Sequence, residues 1–160
     1  MFRVTATSLS DYLAFDSARR RELQKLNAVI RSAAPNLKRY FHKGTPKGEP
    51  GMRFKMIGYG RFKYSSKKGS VVEWPVIGVA LQKNYISVYV SLASNGTPLV
   101  AQYAAKLNAS RASQDNFSFE SFDSLNVGIV TEMFRRAEAI VLDDPQNPVR
   151  CKERGATPVR

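Results

Sequence analysis

Residues 85–92, YISVYVSL, decide the fold, because polar and aromatic hydroxyl side chains alternate with aliphatic ones along the whole stretch. A period of two is typical of a strand with one face in the core. The mostly apolar residues 71–81 precede this strand, and only the short stretch 82–84, QKN, separates the two. The sequence therefore predicts an antiparallel hairpin with Lys83 and Asn84 at its turn, where Asn84 tolerates a positive φ.

Three helices are predicted from apolar residues that recur at helical spacing. The first helical region covers residues 8–34: a short first turn capped by Ser8 or Ser10 is followed by the main helix, capped by Asp16 or Ser17 and stopped by Pro35. The second follows Thr97 and Pro98, which suit an N-cap and a first helical position, and the third begins at Asn126. The helices and the hairpin share a predicted core of Leu26, Ile30, Val79, Val88 and Phe134.

Further strands are predicted over residues 52–56, 61–64 and 116–122, where apolar side chains alternate with basic or polar ones. Gly58-Tyr59-Gly60 is expected to interrupt the chain between the first two of these strands. Because strands and helices do not alternate in a βαβ pattern, the predicted fold is one compact α+β domain. Its antiparallel sheet carries helices on one face and spans residues 1–144. Residues 145–160 are rich in proline and basic side chains, which predicts a flexible basic tail.

The net charge of +12 is concentrated in one part of the chain. Residues 17–68 hold fifteen Lys and Arg and only two Glu, so this third of the sequence carries the whole excess. Such a segment attracts anionic ligands or polyanions over long distances. The alternative is a solvated surface that only keeps the protein in solution.

The sequence has one cysteine, Cys151, and one histidine, His42, which limits the kinds of metal site and catalytic site that the chain can form. A disulfide within the chain, a zinc site of the usual Cys/His type and a histidine-based triad all need more of these residues. No stretch approaches about 18 apolar residues, and the first residues lack the apolar region of a signal peptide. We therefore expect a cytoplasmic protein with no membrane partner, and predict no catalytic residue, metal ligand or cofactor.

Candidate ligand-binding residues cluster on the predicted sheet. Aromatic rings pack a ligand and hydroxyl groups orient it, so the sequence predicts a pocket between the sheet and the helices. Glycines next to the strands would let the backbone approach a ligand, or would instead form a kink, and the aromatic residues have cross-strand packing as their alternative. The predicted ligand-binding set is Gly58, Tyr59, Gly60, Tyr64, Trp74, Lys83, Asn84 and Tyr89.

Two classes of function follow from these patterns. The first is a non-enzymatic binder of a small anionic or aromatic ligand. The alternative is nucleic-acid binding through residues 17–68, whose basic strands carry interleaved aromatic rings that would stack bases. An enzyme without a recognisable motif is a weaker third hypothesis. An exposed edge of the hairpin would also suit a homodimer.

Three stretches resemble the YdhG-like family, a domain of unknown function: residues 11–35, residues 56–90 with the pieces MIGYGRFKY and WPVIGVALQKNYISVYV, and residues 117–137. The resemblance implies a compact α+β domain with an antiparallel sheet. One branch of that family has been proposed as a frataxin-like iron chaperone. Iron delivery needs hard oxygen ligands, whereas the opening helix here is basic, which disfavours that function. Residues 113–116, SQDN, also depart from the Gly-Lys-Ser-Cys stretch of many members.

Overall fold

The computed structural model of the protein describes residues 2–65, 68–143 and 157–158. The helices of this part are α1 (Leu9–Ala14), α2 (Arg20–Ala33), α3 (Leu99–Tyr103) and α4 (Val127–Asp143). Its strands are β1 (Arg39–His42), β2 (Met56–Ser65), β3 (Val71–Leu81), β4 (Ile86–Val90), β5 (Ala93–Ser94), β6 (Thr97–Pro98), β7 (Arg111–Ala112), β8 (Asn116–Phe119) and β9 (Thr157–Pro158).

The main sheet has the strand order β1-β2-β3-β4-β8-β7, and every neighbouring pair is antiparallel. The short β9 also pairs with β2, and β5 with β6 forms a separate two-stranded ribbon. This architecture confirms the predicted α+β fold and the predicted β3–β4 hairpin. The hairpin does not leave an exposed edge, however, because β2 and β8 pair with its two sides. The edges of the main sheet are β1 and β7.

The main core lies between the sheet and the helices. Helix α2 buries Leu23, Leu26 and Ile30 at helical spacing, and it ends just before Pro35. The predicted core is confirmed, since Leu26, Ile30, Val79, Val88 and Phe134 are all at most 1% exposed and belong to one cluster. A second, smaller cluster lies apart from this core. It consists of Met52, Met56 and Ala80, with Trp74 and Tyr89 packed against it.

The predicted strand over residues 52–56 is wrong except for its last residue, because β2 begins only at Met56. The preceding backbone is bonded to other parts of the chain rather than to a neighbouring strand. The Met52 carbonyl accepts the Thr45 N–H, and the Lys55 carbonyl accepts the Tyr12 hydroxyl. Strand β1, in contrast, was not predicted, because each of its four residues is half-buried and no alternation marks it.

The predicted interruption at Gly58-Tyr59-Gly60 is also wrong, because β2 runs through it in constant register with β3. At Gly60, strand β2 changes which of its two faces is turned toward the core. Ile57 and Tyr59 are in the core before it, and Phe62 is in the core after it, which shifts the alternation by one residue. Gly60 has a φ of +70°, a conformation that favours glycine, and this rotates the strand.

Two further expectations concern the ends of elements. Thr97 and Pro98 form β6 rather than the first positions of a helix, which begins at Leu99. Of the predicted tail, residues 145–160, only Thr157 and Pro158 are described, and they pair with Ser65 and Tyr64 of β2. The rest of that predicted tail lies outside the described residues.

Candidate functional site

The sheet separates the predicted ligand-binding residues onto different surfaces. Tyr59 is fully buried in the core, where its hydroxyl donates to Asn27 Oδ1 at 2.7 Å. Arg39 Nη1 donates to the same oxygen at 3.2 Å. Burial raises the pKa of Tyr59 well above its ordinary value. Tyr59 therefore holds helix α2 to the sheet and does not line a surface pocket.

Tyr89 and Gly58 lie on the side of the sheet away from Tyr59, whereas Trp74 packs against both the main core and the smaller cluster. Trp74 Nε1 donates to Ser91 Oγ at 2.7 Å, and both aromatic rings pack against the Met56 cluster. Gly58 gives room to the Tyr40 ring, which a Cβ at this position would overlap. Of the predicted residues, the fold brings Gly58 and Tyr89 to one face, and Trp74 contacts the smaller cluster on that face.

The remaining predicted residues are dispersed. Lys83 and Asn84 are exposed at the hairpin turn, and Asn84 does not have the positive φ expected of it. Gly60 lies against Leu37, since a Cβ there would come within 2.9 Å of Leu37 Cδ2. The side chain of Tyr64 lies outside the described part of the chain. The predicted set as a whole is therefore not one site.

A different site surrounds the edge strand β1. Four open grooves of about 460, 520, 440 and 510 Å³ adjoin one another in this order and share lining residues from each to the next. The first two share residues 37–39, the second and third share Tyr40 and Arg61, and the third and fourth share residues 43–46. We call this row the basic belt. Its charged lining consists of Arg3, Arg31, Lys38, Arg39, Lys43, Arg53, Lys55 and Arg61, with Glu49 and Glu73.

Most of the belt's positive charge is uncompensated. Five of its eight cations are exposed and have neither an ion pair nor a hydrogen bond from the side chain among the described residues: Arg3, Arg31, Lys38, Lys43 and Arg53. Free cations in a row create a positive potential that attracts anions. Arg3 lies outside the basic segment 17–68, so the charge pattern did not predict its place in the belt.

Tyr40 and Arg61 form an aromatic and cationic pair in the middle of the belt. The Arg61 guanidinium lies 3.8 Å from the centre of the Tyr40 ring, and its Nη1 is 3.7 Å from Glu73 Oε2. Burial raises the pKa of Tyr40 to about 12, although the positive charge of Arg61 opposes that shift. The phenol is therefore neutral at physiological pH, and its ring is held between Gly58 and a guanidinium.

Loop 43–51 is fixed at its base, which positions the cations at one end of the belt. His42 Nε2 lies 2.8 Å from the Met52 carbonyl oxygen, and Thr45 N–H donates to the same oxygen at 2.8 Å. A carbonyl only accepts, so His42 donates here. Gly44 has a φ of +83°, and a Cβ on it would lie 2.5 Å from the Arg53 carbonyl oxygen. Glycine at this position therefore lets the loop approach residues 53–55 closely.

Two cations at the start of α2, Arg19 and Lys25, differ from those of the belt because they have partners within the fold. Arg19 Nη2 is 2.7 Å from Asp16 Oδ2, and its Nη1 donates to the Tyr85 carbonyl at 2.6 Å. Burial alone would raise the pKa of Asp16, but the hydrogen bond and charge of Arg19 lower it overall. On the outer side of the helix, Lys25 pairs with Asp123 at 2.7 Å.

Comparisons with known proteins add no relative: no family model, no curated protein and no solved structure matches the chain. The resemblance to the YdhG-like family therefore stays a prediction. Within the described ranges, no three His, Cys, Asp or Glu side chains are grouped so that they could hold a metal ion. No helix in that part of the chain has the length and apolar character needed to cross a membrane.

Proposed function

We propose that the protein binds single-stranded nucleic acid along the basic belt. The observation that carries the proposal is the row of grooves with shared lining residues around β1, in which five exposed cations have no partner among the described residues. Proteins that bind single strands combine a positively charged groove that follows the backbone with aromatic rings that stack bases. The belt supplies both kinds of group.

The shape of the belt favours a polymer over a small molecule. Sites for small ligands usually enclose most of the ligand surface. The belt instead consists of open grooves that share lining residues with their neighbours, which suits an extended chain. The small-ligand pocket predicted from the sequence has no common surface to occupy, because Tyr59 and Tyr89 lie on opposite sides of the sheet.

The aromatic side chains favour a single strand over a duplex or a membrane surface. Phe54 is 42% exposed at one end of the belt, whereas the Tyr40 ring in the middle is already covered by Gly58 and the Arg61 guanidinium. Unpaired bases can stack on an exposed ring such as that of Phe54, whereas the bases of a duplex are already stacked on each other. A flat bilayer would contact protruding side chains and would not enter a groove.

The salt dependence of binding tests this proposal. The belt variant carries Arg31→Gln and Lys38→Gln, and the control variant carries Arg20→Gln and Arg21→Gln. The four replaced side chains are all exposed, and each variant loses two positive charges. Binding of a fluorescent oligothymidylate would be measured over a salt series. Each phosphate contact contributes about 0.7 to the slope of log affinity against log salt, so the belt variant should have a slope shallower by about 1.4.

The control variant should keep the slope of the unmodified protein, because Arg20 and Arg21 lie outside the belt. A further variant, Phe54→Leu, should weaken binding at every salt concentration through the loss of one stacking ring, since a stacked base contributes about 1–3 kcal/mol. Equal losses in the belt and control variants would show that net charge, not the belt, determines binding. Absence of binding at low salt would refute the function itself.

A further inference from the structure

We infer that the fourth groove of the belt, which we call the end pocket, binds a phosphomonoester attached to a nucleobase. This is the chemistry of the phosphorylated end of a bound strand, and also of a free nucleotide. The inference rests on the proposed function, because the end pocket is the last groove of the belt. Its lining consists of residues 2–4, residues 43–46, residues 53–55 and Leu81, and its volume is about 510 Å³.

The charge of the end pocket matches a monoester better than a diester. Four cations line it, Arg3, Lys43, Arg53 and Lys55, and no carboxylate is among its lining residues. The neighbouring third groove, in contrast, has two carboxylates in its lining. A phosphomonoester carries a charge of about −1.5 to −2 at pH 7 and three strong acceptor oxygens. The diester groups inside a strand carry only one negative charge each, so the strongest preference for a monoester is expected here.

The apolar part of the end pocket offers a surface for a base. Phe54 is one of the few large hydrophobic side chains that the described residues expose, at 42%. Phe2, in the same pocket, is already occupied, because its ring is in edge contact with Phe15 at 6.1 Å and has the Arg19 guanidinium 5.3 Å from its centre. Phe54 is therefore the ring on which a base would stack, and Phe2 only lines the pocket.

The parts of the end pocket are held in place by contacts within the protein. Lys55 Nζ donates to the Ala6 carbonyl at 2.8 Å, which ties residues 53–55 to the N-terminal segment. The loop that carries Lys43 is fixed through the Met52 carbonyl and the close approach at Gly44. A site whose groups are already positioned loses less conformational entropy when a ligand binds.

The experiment compares ligands that differ only in the phosphate. An oligothymidylate with a 5′-phosphate, one with a 3′-phosphate and one with two free hydroxyl ends would be measured side by side, together with AMP and adenosine as competitors. The pocket variant is Arg53→Gln, and the control is Arg31→Gln at the opposite end of the belt. Both residues are exposed, and thermal unfolding of both variants checks that they fold.

At least one phosphorylated end should bind about tenfold more tightly than the hydroxyl oligonucleotide, and AMP should compete where adenosine does not. Arg53→Gln should abolish both differences, whereas Arg31→Gln should weaken all oligonucleotides equally and keep the differences. Equal binding of phosphorylated and hydroxyl ligands to the unmodified protein would overturn the inference but leave the proposed function intact. So would a phosphate preference that survives Arg53→Gln. If AMP binds in an Arg53-dependent way while no oligonucleotide binds, the end pocket is a nucleotide site and the proposed function is wrong.

Discussion

The two cations Arg19 and Lys25 at the start of helix α2 differ from the exposed cations of the basic belt, because both have carboxylate partners. In the helix, Arg19 is only 12% exposed and joins Asp16 to the β3–β4 hairpin, and Lys25 pairs with Asp123. In the belt, cations such as Lys38 and Arg53 have no partner among the described residues. The charge of Arg19 is therefore used within the fold, whereas the exposed cations of the belt are left for a ligand. The density of Lys and Arg along the sequence does not distinguish the two.

The largest difference between the two regions should be found with Arg19→Gln. This substitution removes a charged partner from Asp16 and a donor from the Tyr85 carbonyl. Hydrogen bonds to charged groups contribute about 1.5–3 kcal/mol, so we expect a loss of about 2–3 kcal/mol in the free energy of unfolding. Urea unfolding measures it, with Lys38→Gln as the belt control that should stay within about 0.5 kcal/mol. Equal stability of the two variants would remove the distinction between helix and belt.

A second prediction asks whether the belt also depends on packing. Gly58→Ala would push the Tyr40 ring from its place beside Arg61, because the new Cβ overlaps the ring. Overpacking of this kind costs about 1–3 kcal/mol, and we expect oligonucleotide affinity to fall as well. Gly128→Ala is the control, since its Cβ would meet only Asn126 Oδ1 at 3.6 Å. In a helix that change should be neutral or stabilising by about 0.5–1 kcal/mol.

Alkaline pH should destabilise the protein through the tyrosines buried in its core. Burial raises the pKa of Tyr12 and Tyr59, so the unfolded chain ionises first, near pH 10. Stability should be constant below that value and should fall as the pH rises above it. Tyr59→Phe should make this fall less steep, at a cost of about 1 kcal/mol at neutral pH from the lost bond to Asn27. An unchanged alkaline slope in Tyr59→Phe would contradict the assignment.

The smallest effect is expected for Lys25→Gln. The partner carboxylate of Asp123 is 72% exposed, and exposed ion pairs add little to stability. The melting temperature should therefore be unchanged within error. The hydrogen bond and charge of Lys25 lower the pKa of Asp123, so an NMR titration should show that pKa rising in the variant. A clear loss of melting temperature would mean that this pair is structural in the same sense as Arg19.

The sequence alone could predict the hairpin because residue types alternate along residues 85–92, and because the mostly apolar residues 71–81 precede them after a short turn. It could not predict β1, whose residues are all half-buried and show no period. The candidate site was harder still, since a cation's partner can lie far away in the chain: Lys25 and Asp123 are separated by 98 residues. Nor does the pattern reveal that Tyr59 and Tyr89 are on opposite faces of the sheet, because that depends on strand pairing.

The two hydrogen bonds to the Met52 carbonyl oxygen have a consequence for changes in chain length. His42 and Thr45 hold that oxygen from the far side of loop 43–51, so the two ends of the loop are joined independently of what lies between them. Each doubling of a flexible loop costs only about 0.6 kcal/mol in closure entropy. Residues 46–51 are therefore a place where a peptide could be inserted, for labelling or immobilisation, without moving Lys43 or Arg53.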